Sequence, residues 1–208
     1  MVHTAAFVGG IGRNLESPAQ QYYQNILMNS FVTHYSYLTG VEKLIYAANN
    51  PLVIDADGLR PFEDNNKLFE GITVPFVITP HYGEFCRLTS TDSKTIEGEF
   101  TSVVTDFMND FSGILVAKNA PSCVFYKNEG FVNSTGNPAL ATAGTGDVLT
   151  GMIAGLIAQG IEPQKAAQTA VYIHGKAADL FCERKGMRGM IASDLLNTIP
   201  TVLDGYDD

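Results

Sequence analysis

Asn137-Pro138-Ala139-Leu140-Ala141-Thr142-Ala143-Gly144-Thr145-Gly146-Asp147-Val148-Leu149-Thr150-Gly151 decides how the chain is read, because small residues and one carboxylate lead there straight into an apolar run. Gly144 and Gly146 allow backbone turns closed to other residues and let amide N–H groups approach a ligand without side-chain interference. The helix predicted over residues 148–159 adds the positive end of its dipole and its unpaired first-turn donors, an arrangement that favours an anion such as phosphate. Asp147 is the odd member. A carboxylate repels a neighbouring phosphate unless it takes a proton from an attacking hydroxyl or holds a metal. Asp is also a favoured helix cap and glycine-rich turns are common ahead of helices, so this stretch alone leaves a catalytic and a capping role open.

Composition narrows the class. The chain has 208 residues, 45% hydrophobic and 17% charged, which suits one soluble α/β domain over residues 1–208 with a sizeable core. A formal net charge of -9 lacks the basic face that nucleic acid or an anionic membrane demands, so neither is expected as a partner; a local basic pocket for one anionic small molecule is compatible with it. Cys86, Cys123 and Cys182 are odd in number, far apart and without metal-ligand spacing, which fits reduced thiols in a cytoplasm. Met1-Val2-His3-Thr4 does not start a basic-then-apolar signal and no apolar run reaches spanning length, so a cytoplasmic location is expected.

In chain order, Ala5-Ala6-Phe7-Val8 predicts a buried strand running into Gly9-Gly10-Ile11-Gly12, with a helix from Ser17-Pro18 to about Asn29. Gly12 can approach a ligand at that strand end or simply permit the turn. A helix is predicted over residues 41–48, and Leu52-Val53-Ile54 is a second strand that delivers Asp55 and Asp57 to its carboxyl end. Asp57 reads as turn chemistry, while Asp55 stays open between structure and catalysis. After a short helix at residues 63–70, a third strand at 74–78 ends in Thr79-Pro80-His81-Tyr82-Gly83-Glu84. There an imidazole can face a ligand and a carboxylate a hydrated metal, or both residues can serve the start of a helix. The apolar spacing of Phe100, Val103, Val104, Phe107 and Phe111 predicts an amphipathic helix over 97–110, and 113–117 is a fourth strand.

That strand leads to Lys118-Asn119-Ala120-Pro121-Ser122, a cation and small residues suited to wrapping a nucleotide, although an exposed loop lysine is the commoner case. A hairpin follows, with strands at 123–126 and 131–133 joined around Lys127-Asn128-Glu129-Gly130. Beyond the opening stretch, Glu162-Pro163 starts a helix whose apolar stripe includes His174, a position suited to a satisfied core histidine, and 192–199 is a last helix ahead of a frayed acidic tail. Alternating strands and helices imply an α/β fold, a mainly parallel sheet with helices on both faces. Gly12, Asp55, His81, Lys118 and Asp147 follow strands or open helices, so they converge on one sheet edge and point to a nucleotide-dependent enzyme.

Thr79-Pro80-His81-Tyr82-Gly83-Glu84, Pro51-Leu52-Val53-Ile54-Asp55-Ala56-Asp57-Gly58-Leu59 and residues 137–160, taken together, resemble the ADP/ATP-dependent NAD(P)H-hydrate dehydratases, a family of ribokinase-like fold. The resemblance runs from about Phe7 to about Ile199. It implies repair of the S-epimer of hydrated NADH or NADPH with ADP or ATP as co-substrate, AMP and phosphate being released when ADP is used, and Mg2+ as cofactor. The wording of residues 141–147 and 155–160 resembles the bacterial, ADP-using branch. By position, the resemblance implies nucleotide binding by Lys118, Asn119, Ala120, Pro121, Ser122, Gly144, Thr145 and Gly146. It implies hydrate contacts by Gly12, His81 and Asp147, catalysis by Asp147, and Glu84 as a residue reaching the metal through water.

Three departures accompany it. Val8-Gly9-Gly10-Ile11-Gly12 stands where the family usually has Gly-Pro-Gly-Leu-Gly, Tyr82 replaces a usual Pro, and Asn119 a usual Gly, the last a mild change because Asn tolerates left-handed backbone. The family's first strands and helices, with a further Ala and a glycine-rich turn for the hydrate, have no counterpart ahead of residue 1, so a partial domain is expected. Its unpaired sheet edge should favour self-association. A ribokinase-like kinase of a small alcohol or vitamin precursor, which would keep Asp147 but not need His81, and a non-catalytic nucleotide-binding or assembly subunit are the other readings compatible with these residues.

Overall fold

A computed structural model describes residues 50–63 and 65–206; the predicted first strand with Gly12, and the helices predicted at 18–29 and 41–48, lie outside the described residues. Five strands form one sheet in the order β1 (Leu52–Ile54), β2 (Phe76–Ile78), β3 (Ile114–Ala117), β4 (Cys123–Tyr126) and β5 (Glu129–Val132). β1, β2 and β3 pair in parallel, with Val53 opposite Val77 and Ile78 opposite Leu115. β4 and β5 continue the sheet antiparallel, with Val116 opposite Val124 and Val124 opposite Phe131. The parallel strands are apolar at every position because both of their faces are covered.

Alternation of side chains across a strand assigns each residue to one of two cores. Leu52, Ile54, Phe76, Ile78, Leu115 and Ala117 pack on one face, against the short helix α1 (Arg60–Glu63), α2 (Tyr82–Thr89) and α3 (Ser93–Asn109). Val53, Val77, Ile114, Val116 and Val124 pack on the other, against α4 (Thr145–Ala158) and α5 (Pro163–Lys185). A third cluster, with Ala178, Phe181, Met190, Leu195 and Val202, joins α5 to α6 (Ala192–Asp204). Each fully buried Leu, Ile or Phe contributes about 1.5–3 kcal/mol relative to exposure, so these faces, rather than the three- and four-residue strands themselves, hold the sheet together.

Several boundaries differ from the sequence reading for identifiable reasons. The helix expected at 63–70 is split into α1 and a 3-10 segment at Asn66–Gly71, because the Asn65 side chain accepts from the Lys67 amide and starts a new turn there. α3 begins at Ser93 instead of 97, since the Asp92 carboxylate caps the amides of Lys94 and Thr95; Glu99 lies off helical geometry, which interrupts the period ahead of Phe100. The hairpin turn is shorter than expected: Glu129 and Gly130 are already in β5, and Lys127 takes a φ of 52°. α6 runs through Pro200 to Asp204 rather than ending at 199, held by burial of Leu195 and Val202 two turns apart.

Candidate functional site

The carboxyl ends of β1, β2 and β3 lie side by side, and each hands the chain to a polar residue. β2 and β3 are extended at this end by a bridge between His81 and Lys118, the Lys118 amide donating to the Pro80 carbonyl at 2.9 Å. At the end of β1, Asp55 receives the Lys118 ammonium on one carboxylate oxygen (Nζ to Oδ1, 2.7 Å) and the Thr150 hydroxyl of α4 on the other (Oγ1 to Oδ2, 2.7 Å). The pair is largely shielded, with side-chain exposures of 18% for Lys118 and 9% for Asp55, so water screens it weakly.

Helix α4 starts at this point. Gly144, its N-cap, has a φ of 86°, a left-handed conformation that explains the glycine. Gly146 is not in that conformation; its reason is space, because a Cβ there would lie 3.3 Å from Lys118 Nζ. The Thr145 hydroxyl donates back to the carbonyls of Leu140 (2.7 Å) and Thr142 (2.8 Å) and locks the turn. The amides of Gly146 and Asp147 have no acceptor among the described residues, leaving two first-turn donors beside the lysine ammonium. Asp147 is exposed and makes no side-chain hydrogen bond or ion pair among the described residues, so it is not the helix cap. The capping alternative is thereby removed.

His81 and Glu84 do form a cap, at α2. The His81 Nδ1 accepts from the amides of Gly83 (3.0 Å) and Glu84 (3.2 Å), and Glu84 Oε2 accepts from the His81 amide at 2.7 Å. With Nδ1 accepting, neutral His81 carries its proton on Nε2, 3.3 Å from Glu84 Oε1. His81 is 56% exposed in its side chain and available to a ligand, whereas Glu84 is buried with both oxygens turned to His81. The expected water-mediated metal contact at Glu84 therefore gains nothing from the geometry. No group of three or more His, Cys, Asp or Glu suited to a metal ion occurs among the described residues.

Residues 118–122 turn sharply after β3. The Asn119 amide donates to the Ala117 carbonyl (3.0 Å), the Ser122 hydroxyl to the Asn119 carbonyl (3.2 Å), and Ala120-Pro121 is a cis peptide. Ala120 and Pro121 are exposed. Beneath α4, buried His174 of α5 places Nε2 2.9 Å from the Thr145 carbonyl, so that nitrogen donates. Burial, reinforced by the Lys118 charge and opposed by the Thr145 hydrogen bond, pushes its pKa down to about 4. His174 is thus the satisfied core histidine its position predicts. The structure brings Asp55, His81, Lys118, Gly146 and Asp147 to one place; Gly12 lies outside the described residues. Thr150 joins them without warning from the sequence, because a single Thr in an apolar helix carries no signal there.

The family model described as NAD(P)H-hydrate dehydratase matches residues 38–201. The bifunctional NAD(P)H-hydrate repair enzyme Nnr of Moorella thermoacetica is 37% identical over 169 residues, covering 81% of this chain and 32% of that protein. The ADP-dependent (S)-NAD(P)H-hydrate dehydratase of Bacillus subtilis is 30% identical over 164 residues, covering 78% of this chain and 58% of that protein. The structure of the ADP/ATP-dependent NAD(P)H-hydrate dehydratase from Bacillus subtilis, co-crystallized with ATP/Mg2+, superposes with a TM-score of 0.72 at 28% identity, covering 83% of this chain and 61% of that one. The chain thus spans about a third of the bifunctional relative and under two thirds of the single-function one. The ribokinase-like arrangement expected from the resemblance is present.

Proposed function

The chain belongs to the NAD(P)H-hydrate dehydratase family, and from that premise we propose that it takes part in nucleotide-dependent dehydration of the S-epimer of hydrated NADH or NADPH, with ADP as co-substrate and AMP and phosphate as products. We read residues 1–208 as one dehydratase-like domain, partial relative to those relatives. The observation that carries the proposal is the start of α4, where two unpaired amides and a lysine ammonium stand beside a carboxylate without a partner among the described residues.

Hydroxide is a poor leaving group, so direct loss of the ring hydroxyl is slow at neutral pH. Phosphorylation changes that. Asp147 accepts the hydroxyl proton as the hydroxyl oxygen attacks the terminal phosphorus of ADP, and AMP leaves. The unpaired amides of Gly146 and Asp147 at the start of α4 stabilise the charge on the transferring group. The ring nitrogen lone pair then expels phosphate, and loss of a proton from the neighbouring carbon restores the ring double bond. Lys118, Asn119, Ala120, Pro121 and Ser122 hold the nucleotide. His81, whose side chain is more than half exposed, and Gly12 contact the hydrate. Magnesium is expected to arrive with the nucleotide, whose phosphates it screens when bound, and no step here runs through it.

The test mixes the protein with hydrated NADH and ADP and follows recovery of the reduced-nicotinamide absorbance together with AMP. Hydrate-dependent phosphate release supports the proposal. Accumulation of a stable phosphorylated alcohol from another substrate would assign it to small-alcohol kinases, and ADP binding without turnover to non-catalytic binding proteins. Self-association is also expected, and a monomer at every concentration in light scattering would remove that expectation.

A further inference from the structure

We propose that Asp55 is a positioning residue of the nucleotide site: it fixes the Lys118 ammonium beneath the glycine turn and, through Thr150, ties that turn's helix to the end of β1. The inference rests on the nucleotide reading of Lys118 and Gly146. An Asp at the start of a helical turn ordinarily caps it, and Asp55 does occupy the N-cap of the 3-10 turn Ala56–Leu59, with φ -138° and ψ 164°. Yet its side chain makes no cap hydrogen bond. Both oxygens are instead spent on residues distant in sequence, Lys118 in the strand end of β3 and Thr150 in the second turn of α4. One shielded carboxylate thus joins three elements at the point where the ligand phosphate is expected.

The same geometry sets the two site carboxylates apart: Asp55 is ion-paired with Lys118 and bonded by Thr150, while Asp147 is exposed and unpartnered among the described residues. A lysine side chain has four rotatable bonds and loses much freedom when its charge is held at one point. Asp55 imposes that loss during folding rather than during binding, so the ammonium is already in place beside Gly146, where a Cβ would lie only 3.3 Å from Nζ.

The experiment measures ADP affinity by calorimetry and thermal stability for the parent, Asp55→Asn, Thr150→Val, Thr150→Ser, Lys118→Met and the double variant Asp55→Asn with Lys118→Met. Asp55→Asn keeps shape and weakens ADP about tenfold, Thr150→Val about threefold, and Thr150→Ser, which restores the hydroxyl, binds as the parent does. In the Lys118→Met background Asp55→Asn has no further effect on ADP, because the group it positions is gone. A purely architectural role predicts the same loss of ADP affinity in both backgrounds, in proportion to the loss of thermal stability, and that result overturns the proposal. So does parent-like affinity in Asp55→Asn. A parent that binds no ADP refutes the nucleotide reading and this inference with it, whereas a parent that binds ADP without the coupling refutes this inference alone.

Discussion

Acidification should destabilise the protein through His174, and the size of the effect follows from the placement of one ring. In the folded state the imidazole is buried against the start of α4 with its Nε2–H on the Thr145 carbonyl, and burial pushes its pKa down to about 4. In the unfolded chain the value returns to about 6.5. Between those values the unfolded state binds a proton that the folded state refuses, so stability is complete above about pH 6.5 and falls as the pH drops toward 4. At about 1.4 kcal/mol per pH unit, the window corresponds to about 3 kcal/mol, a large part of the 5–15 kcal/mol typical of a folded protein. Urea denaturation of the parent and of His174→Gln at pH 7, 6, 5 and 4 measures it. The Gln amide can donate to the same carbonyl but does not titrate, and carboxylates elsewhere affect both proteins alike. The parent should lose about 3 kcal/mol more than the variant across the window. Parallel loss in the two proteins would show that His174 is not buried as a neutral donor and would refute the reasoning.

Asp147→Asn removes the free carboxylate without changing its shape, and turnover of the hydrate in the presence of ADP should drop on the order of 100-fold or more with ADP affinity retained; unchanged turnover would take Asp147 out of the mechanism. Lys118→Ala should weaken ADP binding, but it also strands the Asp55 charge, at a cost of about 3–5 kcal/mol. Thermal denaturation must therefore accompany the calorimetry, and equal ADP affinity in a folded variant would place the nucleotide elsewhere. Gly175→Ala should destabilise by about 1–3 kcal/mol in denaturant titration. A Cβ there would collide with the Thr135 hydroxyl and lie 2.7 Å from the Thr135 carbonyl carbon, forcing α5 away from the segment that leads into the glycine turn. Wild-type stability in that variant would mean that the contact is loose.

The chain carries in its local patterns whatever depends on neighbours along it. Leu52-Val53-Ile54 is apolar at every position because a strand covered on both faces needs it, and Lys127-Asn128 in the hairpin and Gly144 ahead of α4 answer to backbone conformations set within a few residues. Those signals were enough for the α/β class, the order of most elements and the glycine turn. Where a side chain altered the outcome through a short-range bond, as Asp92 did by starting α3 early, the boundary moved but the element survived. The site was legible as candidates and not as an arrangement. Asp55 read equally well as turn chemistry or catalysis, and Lys118 as a loop lysine, because residues 63 apart in sequence give no local sign that they share a bond. Only the parallel pairing of β1, β2 and β3 set their carboxyl ends side by side, brought Lys118 onto Asp55, and placed Thr150 of the following helix on the oxygen that remained. That pairing is decided by which faces α4 and α5 bury against the sheet, a property of the folded whole that no short stretch contains.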